Sequence, residues 1–267
     1  MKLILDGINP EDKTLATNVM NYLKDGNRVI GDPGEGLRHT LSELEKKRDN
    51  KNVGVMDWEM KDLELEQQIA LTKAGIEGEE KLCSYLATLI KHDDKLNGLV
   101  AFASLSYDLG ENYQSYIPDT DTLLVYGNNI LIVDAKNIKT KPNQVLAEIE
   151  GVIMDMDKGK EILEVHPSTH IWEKIFRKAG IEIGSIDGYV CIVNDTPVQI
   201  IRDDAWYNSK TKLIHISELR DILENWASSI PNNNLYLNML TEIAKAQIKK
   251  ETDSTVDVDK LKRMFGI

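Results

Sequence analysis

Two aspartates and one lysine stand at the ends of two short apolar runs near the middle of the chain: Asp121, Asp134 and Lys136. The runs cover residues 121–126 and 130–135, and the Gly-Asn-Asn between them suits the positive-φ positions of a tight turn. We therefore predict a β-hairpin. Because side chains alternate along a strand, a two-residue turn would bring all three charged groups to one face of this hairpin.

The position of the turn decides which side chains meet. A turn at Asn128-Asn129 pairs Asp121 with Lys136, whereas a turn at Gly127-Asn128 pairs Asp121 with Asp134. A three-residue turn would send the acids to opposite faces. Since Gly and Asn favour two-residue turns, we expect the charged groups to converge, although a strand that ends in solvated charges would show the same pattern.

A third acid, Glu79, interrupts the apolar side of a helix predicted over residues 76–91. At about 100° per residue, the apolar stripe of this helix consists of Leu82, Cys83, Leu86 and Ile90. Glu79 falls within that stripe, where a carboxylate is costly unless it is paired or binds a cation. A position in the first helical turn would instead let it stay hydrated near the helix N-terminus.

Carboxylates gathered beside a lysine are typical of hydrolysis assisted by a hard divalent cation. Mg²⁺ takes oxygen ligands and keeps several waters, so two or three carboxylates suffice. The metal neutralises the charge of a phosphate and lowers the pKa of a bound water. The lysine can orient the attacking water and stabilise the negative charge that develops.

The same residues carry a family resemblance. Residues 121–136 resemble the D-x₁₂-(D/E)-x-K signature of PD-(D/E)XK nucleases and, more narrowly, the nuclease-related domain known as NERD. Residues 74–79 (AGIEGE) resemble the upstream G-x-x-G-E helix start of that family. Residues 166–170 (HPSTH) and 189–194 (YVCIVN) resemble its second helix start and the strand that follows. The resemblance spans about residues 73–228.

The resemblance implies a role for each site residue. Asp121 and Asp134 would ligate Mg²⁺ or Mn²⁺, with the backbone carbonyl of Ala135 as a further ligand. Lys136 would position the attacking water. Glu79 would complete the metal cluster or act on a second metal or water.

The chain departs from the family pattern at two places. Asp134 stands where the family often has the longer glutamate, and His166-Pro167-x-x-His170 stands where it tends to have Asn-Pro-x-x-Gln. His170 is therefore a candidate site residue, with a purely structural histidine as the alternative. Asp119 has the same strand parity as Asp121, but the spacing of the signature favours Asp121 as the metal ligand.

The charge of the chain limits how it could bind nucleic acid. Its 267 residues carry 32 Lys and Arg against 44 Asp and Glu, a net charge of −12. Such a chain is a poor candidate for a broad basic DNA-binding surface or a membrane-surface binder. Lys139 and Lys141, just after the hairpin, are candidate phosphate contacts in a local groove, although a solvated strand exit explains them equally well.

Cysteine usage and hydropathy bear on the compartment. Cys83 and Cys191 lie in apolar segments far apart in the sequence, as expected of small buried side chains in a reducing compartment. We see no apolar stretch of membrane-spanning length. We therefore expect a cytoplasmic protein.

The elements that must position these residues alternate between helices and strands. We predict helices over residues 11–29, 37–50, 56–72, 76–91, 143–163, 168–180, 218–228, 234–250 and 257–265. We predict strands over residues 98–107, 121–126, 130–135, 187–194, 198–202 and 212–216. This order predicts an α+β or α/β fold with a central mixed sheet, and the resemblance implies a restriction-endonuclease-like core of helix, three-strand meander, helix and further strands.

Three parts of the chain follow from this pattern. Residues 1–72 form a helical N-terminal extension, residues 73–230 the nuclease-like domain, and residues 231–267 a C-terminal helical segment. We expect the extension to pack on the main domain or to make an oligomer contact. The helices of both terminal segments could contact a protein partner or a second copy of the chain.

Two functions follow as hypotheses. The first is a divalent-metal-dependent nuclease that hydrolyses phosphodiester bonds, with DNA as the expected substrate. The second is a catalytically silent nuclease-like fold that binds nucleic acid or another protein. A metal ion between Glu79, Asp121 and Asp134 would favour the enzyme, whereas a salt bridge from Lys136 that closes the site would favour the binding module.

Overall fold

A computed structural model gives the fold of residues 3–5, 7–49, 58–106, 119–165, 168–202, 211–231 and 234–248. The helices are α1 (Lys13–Lys24), α2 (Glu35–Asp49), α3 (Trp58–His92), α4 (Thr169–Lys178), α5 (Leu219–Ser229) and α6 (Leu237–Ile248). The strands are β1 (Leu3–Ile4), β2 (Val29–Ile30), β3 (Val100–Ser106), β4 (Asp119–Tyr126), β5 (Asn129–Lys136), β6 (Gln144–Ile149), β7 (Val152–Asp155), β8 (Lys160–Glu164), β9 (Ile186–Ile192), β10 (Val198–Ile201), β11 (Thr211–His215) and β12 (Leu235–Tyr236).

A six-stranded mixed sheet holds the predicted hairpin at its centre. Its strand order is β11-β9-β5-β4-β3-β2. The strands β3, β4 and β5 are antiparallel neighbours in chain order, and β9 lies parallel to β5 on its other side. The strands β3 to β5 therefore form a three-strand meander with β9 beside it, and the predicted mixed α+β class is confirmed.

Helices cover both faces of this sheet. Ile130 and Ile132 of β5 pack in a cluster with side chains of α1, α4 and α6. Leu131 and Val133, on the opposite face, pack in a second cluster with side chains of α3 and α5. Because both faces of the central strands are buried, their sequences are continuous apolar runs without polar alternation.

Residues 143–163 form strands instead of the predicted helix. β6, β7 and β8 are antiparallel neighbours in a second sheet of order β10-β6-β7-β8. β6 and β7 are joined at Glu150 and Gly151, whose φ angles are 50° and 85°. Positive φ at both central residues is the requirement of a type I′ hairpin turn. The helix prediction is wrong because this turn overrides the helix propensity of the Ala, Glu and Leu residues around it.

The two helices predicted over residues 56–72 and 76–91 are one continuous helix, α3. The Ala-Gly pair between them does not interrupt it. The predicted domain boundary at residues 72 and 73 therefore falls inside a helix, and other elements of the first 72 residues also join the rest of the chain. β2 pairs with β3 at the edge of the main sheet, and β1 pairs with β12. The helix predicted over residues 257–265 lies outside the described residues.

Two expectations about composition can be compared with the structure. Cys83 and Cys191 are both buried and unpaired, as predicted. Burial raises the pKa of the Cys83 thiol to about 12. In the described part of the chain, none of the helices combines the length and the apolar composition needed to cross a bilayer.

Candidate functional site

The register of the hairpin brings the two predicted aspartates together. The turn consists of Gly127-Asn128, since Tyr126 pairs with Asn129. Gly127 has a φ of 63°, a value that favours glycine. The same register, continued along both strands, puts Asp121 opposite Asp134. The hairpin therefore has the two-residue turn that pairs Asp121 with Asp134. Neither the turn at Asn128-Asn129 nor a three-residue turn is present.

The ladder between β4 and β5 opens at the level of these acids. Thr122 and Val133 form the last paired position, and beyond it the Ala135 N–H donates to Oδ2 of Asp121 at 2.7 Å. A side chain thus takes the place of a strand partner. Since the N–H and C=O of a strand residue point to the same side, the Ala135 carbonyl faces the same gap. This is the carbonyl that the family resemblance assigns to the metal.

Lys136 completes the cluster at the end of β5. Its Nζ donates to Oδ1 of Asp134 at 2.5 Å, and the two side chains retain 23% and 18% of their exposure. Asp134 and Lys136 have the strand parity of Ile132, so they continue the face covered by α1, α4 and α6. The pair is therefore partly buried yet accessible from solvent, as a site for a polar substrate requires.

Burial and the charges of this cluster shift the pKa values of Asp121 and Lys136. Burial, followed by the charge of Asp134, raises the pKa of Asp121 well above its usual value, and Glu79 adds to this effect. Burial alone would lower the pKa of Lys136, but the carboxylates of Asp134 and Asp121 outweigh it and raise that pKa. The single positive charge of Lys136 does not neutralise the carboxylates of Asp121, Asp134 and Glu79.

Glu79 occupies the interior position that its place in the apolar stripe predicts. It lies well inside α3 and is 6% exposed, so the alternative of a hydrated acid in a first helical turn is excluded. Leu82, Leu86 and Ile90 of the same stripe are buried as well. The Glu79 carboxylate is hydrogen-bonded: Oε2 accepts from Ser104 Oγ at 2.8 Å and from the Gly34 N–H at 2.9 Å.

The start of α4 contacts the hairpin through two hydroxyl groups and an indole that no sequence motif indicates. Ser168 Oγ and Thr120 Oγ1 are 2.6 Å apart, and Trp172 Nε1 donates to Thr120 Oγ1 at 3.0 Å. Thr120 is the neighbour of Asp121, so α4 supports the strand end that carries the acid. His170, the candidate from the family pattern, lies on the exposed side of α4. His166 and Pro167 lie outside the described residues.

The remaining candidates lie around the strand ends. Lys139 and Lys141 are exposed in the segment after β5, where the Lys141 N–H donates to Oε1 of Gln144. Their side chains face solvent near the site and remain candidates for phosphate contacts. The backbone of Asp119 pairs with Ser106 at the start of β4. The register therefore places Asp121, and not Asp119, opposite the second acid.

The donor set is compatible with a small, hard cation. In the described ranges, no group of three or more His, Cys, Asp and Glu side chains is arranged to hold a metal ion together. Glu79 is held by other partners, which leaves the pair Asp121 and Asp134 with the Ala135 carbonyl beside them. Mg²⁺ binds proteins through as few as one or two carboxylates and keeps several waters. Burial and then the charge of Asp134 raise the pKa of Asp121, and a bound cation would favour its ionised form against both.

Comparisons with known proteins add little to this description. No family model matches the chain, and no curated protein matches it. Among solved structures, the crystal structure of protein VC1899 from Vibrio cholerae is similar with a TM-score of 0.30 and 14% identity, over 83% of this chain. The matched part is 57% of that protein, so this chain spans a little more than half of its length. A similarity of this size supports no conclusion about fold or function.

Proposed function

We propose that the chain is a divalent-metal-dependent nuclease that hydrolyses phosphodiester bonds, with DNA as its substrate. The observation that carries the proposal is the placement of Asp121 opposite Asp134, with Lys136 Nζ bound to Asp134 at the same strand end. A strand ending in ordinary solvated charges does not explain two carboxylates held face to face, because their repulsion destabilises the fold.

Each side chain has a role in this proposal. Asp121, fixed by the Ala135 N–H, would hold Mg²⁺ or Mn²⁺ together with Asp134 and the Ala135 carbonyl. When bound, the cation would supply charge neutralisation on the phosphate and a water of lowered pKa. Lys136 orients the attacking water and stabilises the negative charge that develops on the phosphate oxygens.

The element order supports a finer proposal about the fold. α3, the meander β3 to β5, α4 and β9 occur in the chain order expected for a restriction-endonuclease-like core of the nuclease-related type. In this view strands β6 to β8 are inserted between the meander and α4, and β10, which follows β9, pairs with β6 to complete their sheet. Because inserted hairpins are tolerated at strand ends on the protein surface, the insertion is compatible with such a core.

The test is a cleavage assay on the full chain. Plasmid, linear and single-stranded DNA are incubated with Mg²⁺ or Mn²⁺, and EDTA is expected to stop the reaction. We expect Lys136→Ala to lower the cleavage rate by at least about 100-fold, the scale of removing a group that assists proton transfer or stabilises charge. The control is Lys95→Ala, which removes a lysine from a surface ion pair with Glu224.

Equal cleavage rates for a folded Lys136→Ala protein and the unchanged chain would refute the assigned roles. A second candidate function, the silent nuclease-like binding module, is favoured by the ion pair that Lys136 makes with Asp134. That contact occupies an oxygen that a metal would need. If the chain retards DNA in a mobility assay but shows no cleavage with either metal, the binding module is correct.

A further inference from the structure

Ser104 has an unusual backbone conformation in the middle of β3. Its φ is 50°, in the left-handed region that non-glycine residues rarely adopt. The pairs on either side, Ala103 with Thr122 and Leu105 with Thr120, keep one register, so Ser104 stands opposite Asp121. A strained serine therefore lies directly beside the acid that opens the proposed site.

The strained serine shares hydrogen bonds with Glu79 and Gly34. Ser104 Oγ donates to Oε2 of Glu79 at 2.8 Å, and the Gly34 N–H points at both oxygens, 2.8 Å from Ser104 Oγ and 2.9 Å from Glu79 Oε2. All three groups are buried. Gly34 has a φ of 76°, and a Cβ there would lie 3.0 Å from Cγ2 of Ile76. A side chain at this position would therefore strain the backbone and press on Ile76, so glycine favours the close approach of this loop to the carboxylate.

We infer that Ser104, together with Gly34, is a positioning residue that fixes the Glu79 carboxylate beside Asp121, where it would accept a hydrogen bond from a water of the cation and not bind the cation itself. A strained backbone conformation persists only where the surrounding structure imposes it, and such residues cluster at active and ligand-binding sites. Here the Ser104 hydroxyl holds the Glu79 carboxylate at the strand position opposite Asp121, although like charges brought close together disfavour folding. This inference rests on the proposed function, and it extends the site to the loop before α2.

The test compares two substitutions that remove the same hydroxyl. Ser104→Ala keeps the strained conformation, whereas Ser104→Gly removes the strain, because glycine adopts positive φ freely. The affinity of the full chain for Mn²⁺ is measured by calorimetry without DNA, and thermal unfolding is measured without metal. Ser185→Ala is the control, since that hydroxyl donates to Asn129 at the other end of β5.

We expect both Ser104 variants to bind Mn²⁺ roughly tenfold or more weakly, as is usual when a group that orients a metal site is removed. We expect the glycine variant to unfold at a higher temperature than the alanine variant, and Ser185→Ala to bind Mn²⁺ normally. A purely structural role would instead make the loss of affinity follow the loss of stability.

Two results would overturn the inference, and they differ in what else they affect. If the unchanged chain binds Mn²⁺ and a folded Ser104→Gly protein binds it within twofold, only the role of Ser104 is refuted. If the unchanged chain binds no Mn²⁺, the metal-dependent function and the role of Ser104 are refuted together.

Discussion

Burial and a neighbouring carboxylate both disfavour the ionised form of Asp121. It is partly buried at a strand end, faces Asp134 across the hairpin, and lies within reach of the charge of Glu79. Its pKa is raised well above the usual value, first by burial and then by Asp134. A site that lowers the stability of the fold in this way is typical of a functional centre, where one rule of stable folding is broken for chemistry.

This conflict predicts that Asp121→Asn stabilises the metal-free protein at neutral pH, by the order of 1 kcal/mol. An aspartate whose pKa is higher in the folded state costs stability as the pH rises above its unfolded value, and the cost persists above the folded value. The gain should therefore disappear when thermal unfolding is measured at a pH low enough to protonate Asp121 in both states.

Asp195→Asn serves as the control for this measurement. Asp195 is an exposed carboxylate, paired with Lys81, and its substitution should change the unfolding temperature little. If Asp121→Asn leaves the unfolding temperature at neutral pH unchanged or lower, the ionised Asp121 side chain does not destabilise the folded protein, and the prediction is refuted.

Some residues of the site could be predicted from the sequence, and others could not. The parity of Asp121 and Asp134 and the interior position of Glu79 follow from strand and helix periodicity, which are local properties. Ser104 and Gly34 were missed because their contacts join residues 25 to 70 positions apart. A serine in the left-handed region also leaves no mark in the sequence.

At the level of elements, two glycines let α3 approach its neighbours closely. A Cβ on Gly78 would lie 3.0 Å from Cβ of Asn137 and 3.3 Å from Cγ2 of Val193, just past the ends of β5 and β9. A Cβ on Gly75 would lie 2.7 Å from Cδ1 of Leu37, the mobile tip of a side chain in α2. The G-x-x-G spacing thus has a packing reason that is independent of any family.

The two glycines form a matched pair for a stability measurement. Alanine in a helix interior gains about 1 kcal/mol over glycine. For Gly75→Ala we expect a neutral or stabilising effect, because the Leu37 tip can move. For Gly78→Ala we expect a loss of about 1 kcal/mol or more, since its neighbour lies next to the backbone and overpacking is not relieved. Denaturant unfolding of both variants checks this, and equal effects would contradict it.

The helices and strands with strong hydrophobic periodicity were predicted correctly. The prediction was wrong where a tight turn determines the secondary structure. The strands of the hairpin have continuous apolar runs bounded by a Gly-Asn-Asn turn, and they were predicted within a residue or two. Residues 143–163 contain many good helix formers, so the turn at Glu150 and Gly151 was overlooked. The helix α3 was predicted as two helices, over residues 56–72 and 76–91, whereas residues 73–75 continue the helix in the structure.

At the level of the whole molecule, the terminal segments are tied to each other and to the sheet. α1 and α6 share one apolar cluster with β5, and Lys245 of α6 bridges Asp12 and Glu242 at 2.7 and 2.9 Å. Their apolar faces are therefore used within the chain. A contact of these helices with a partner or a second copy remains a proposal and would use their exposed faces.

The net charge of −12 has two different sources. Many acids lie on exposed helical faces or in surface ion pairs, as expected from the sequence. Asp121, Asp134 and Glu79 are instead concentrated at one end of the central sheet, where a cation would offset them. A nucleic acid would have to bind locally, near Lys136, Lys139 and Lys141, and such a contact should weaken steeply with salt.

The most direct test of the proposed site is the location of a metal ion in a crystal of the full chain soaked in Mn²⁺. We expect an anomalous scattering peak about 2 Å from carboxylate oxygens of Asp121 and Asp134 and from the Ala135 carbonyl, with Lys136 moved off Asp134. An absence of any peak between the two aspartates at millimolar Mn²⁺, with the Lys136 ion pair intact, would contradict it.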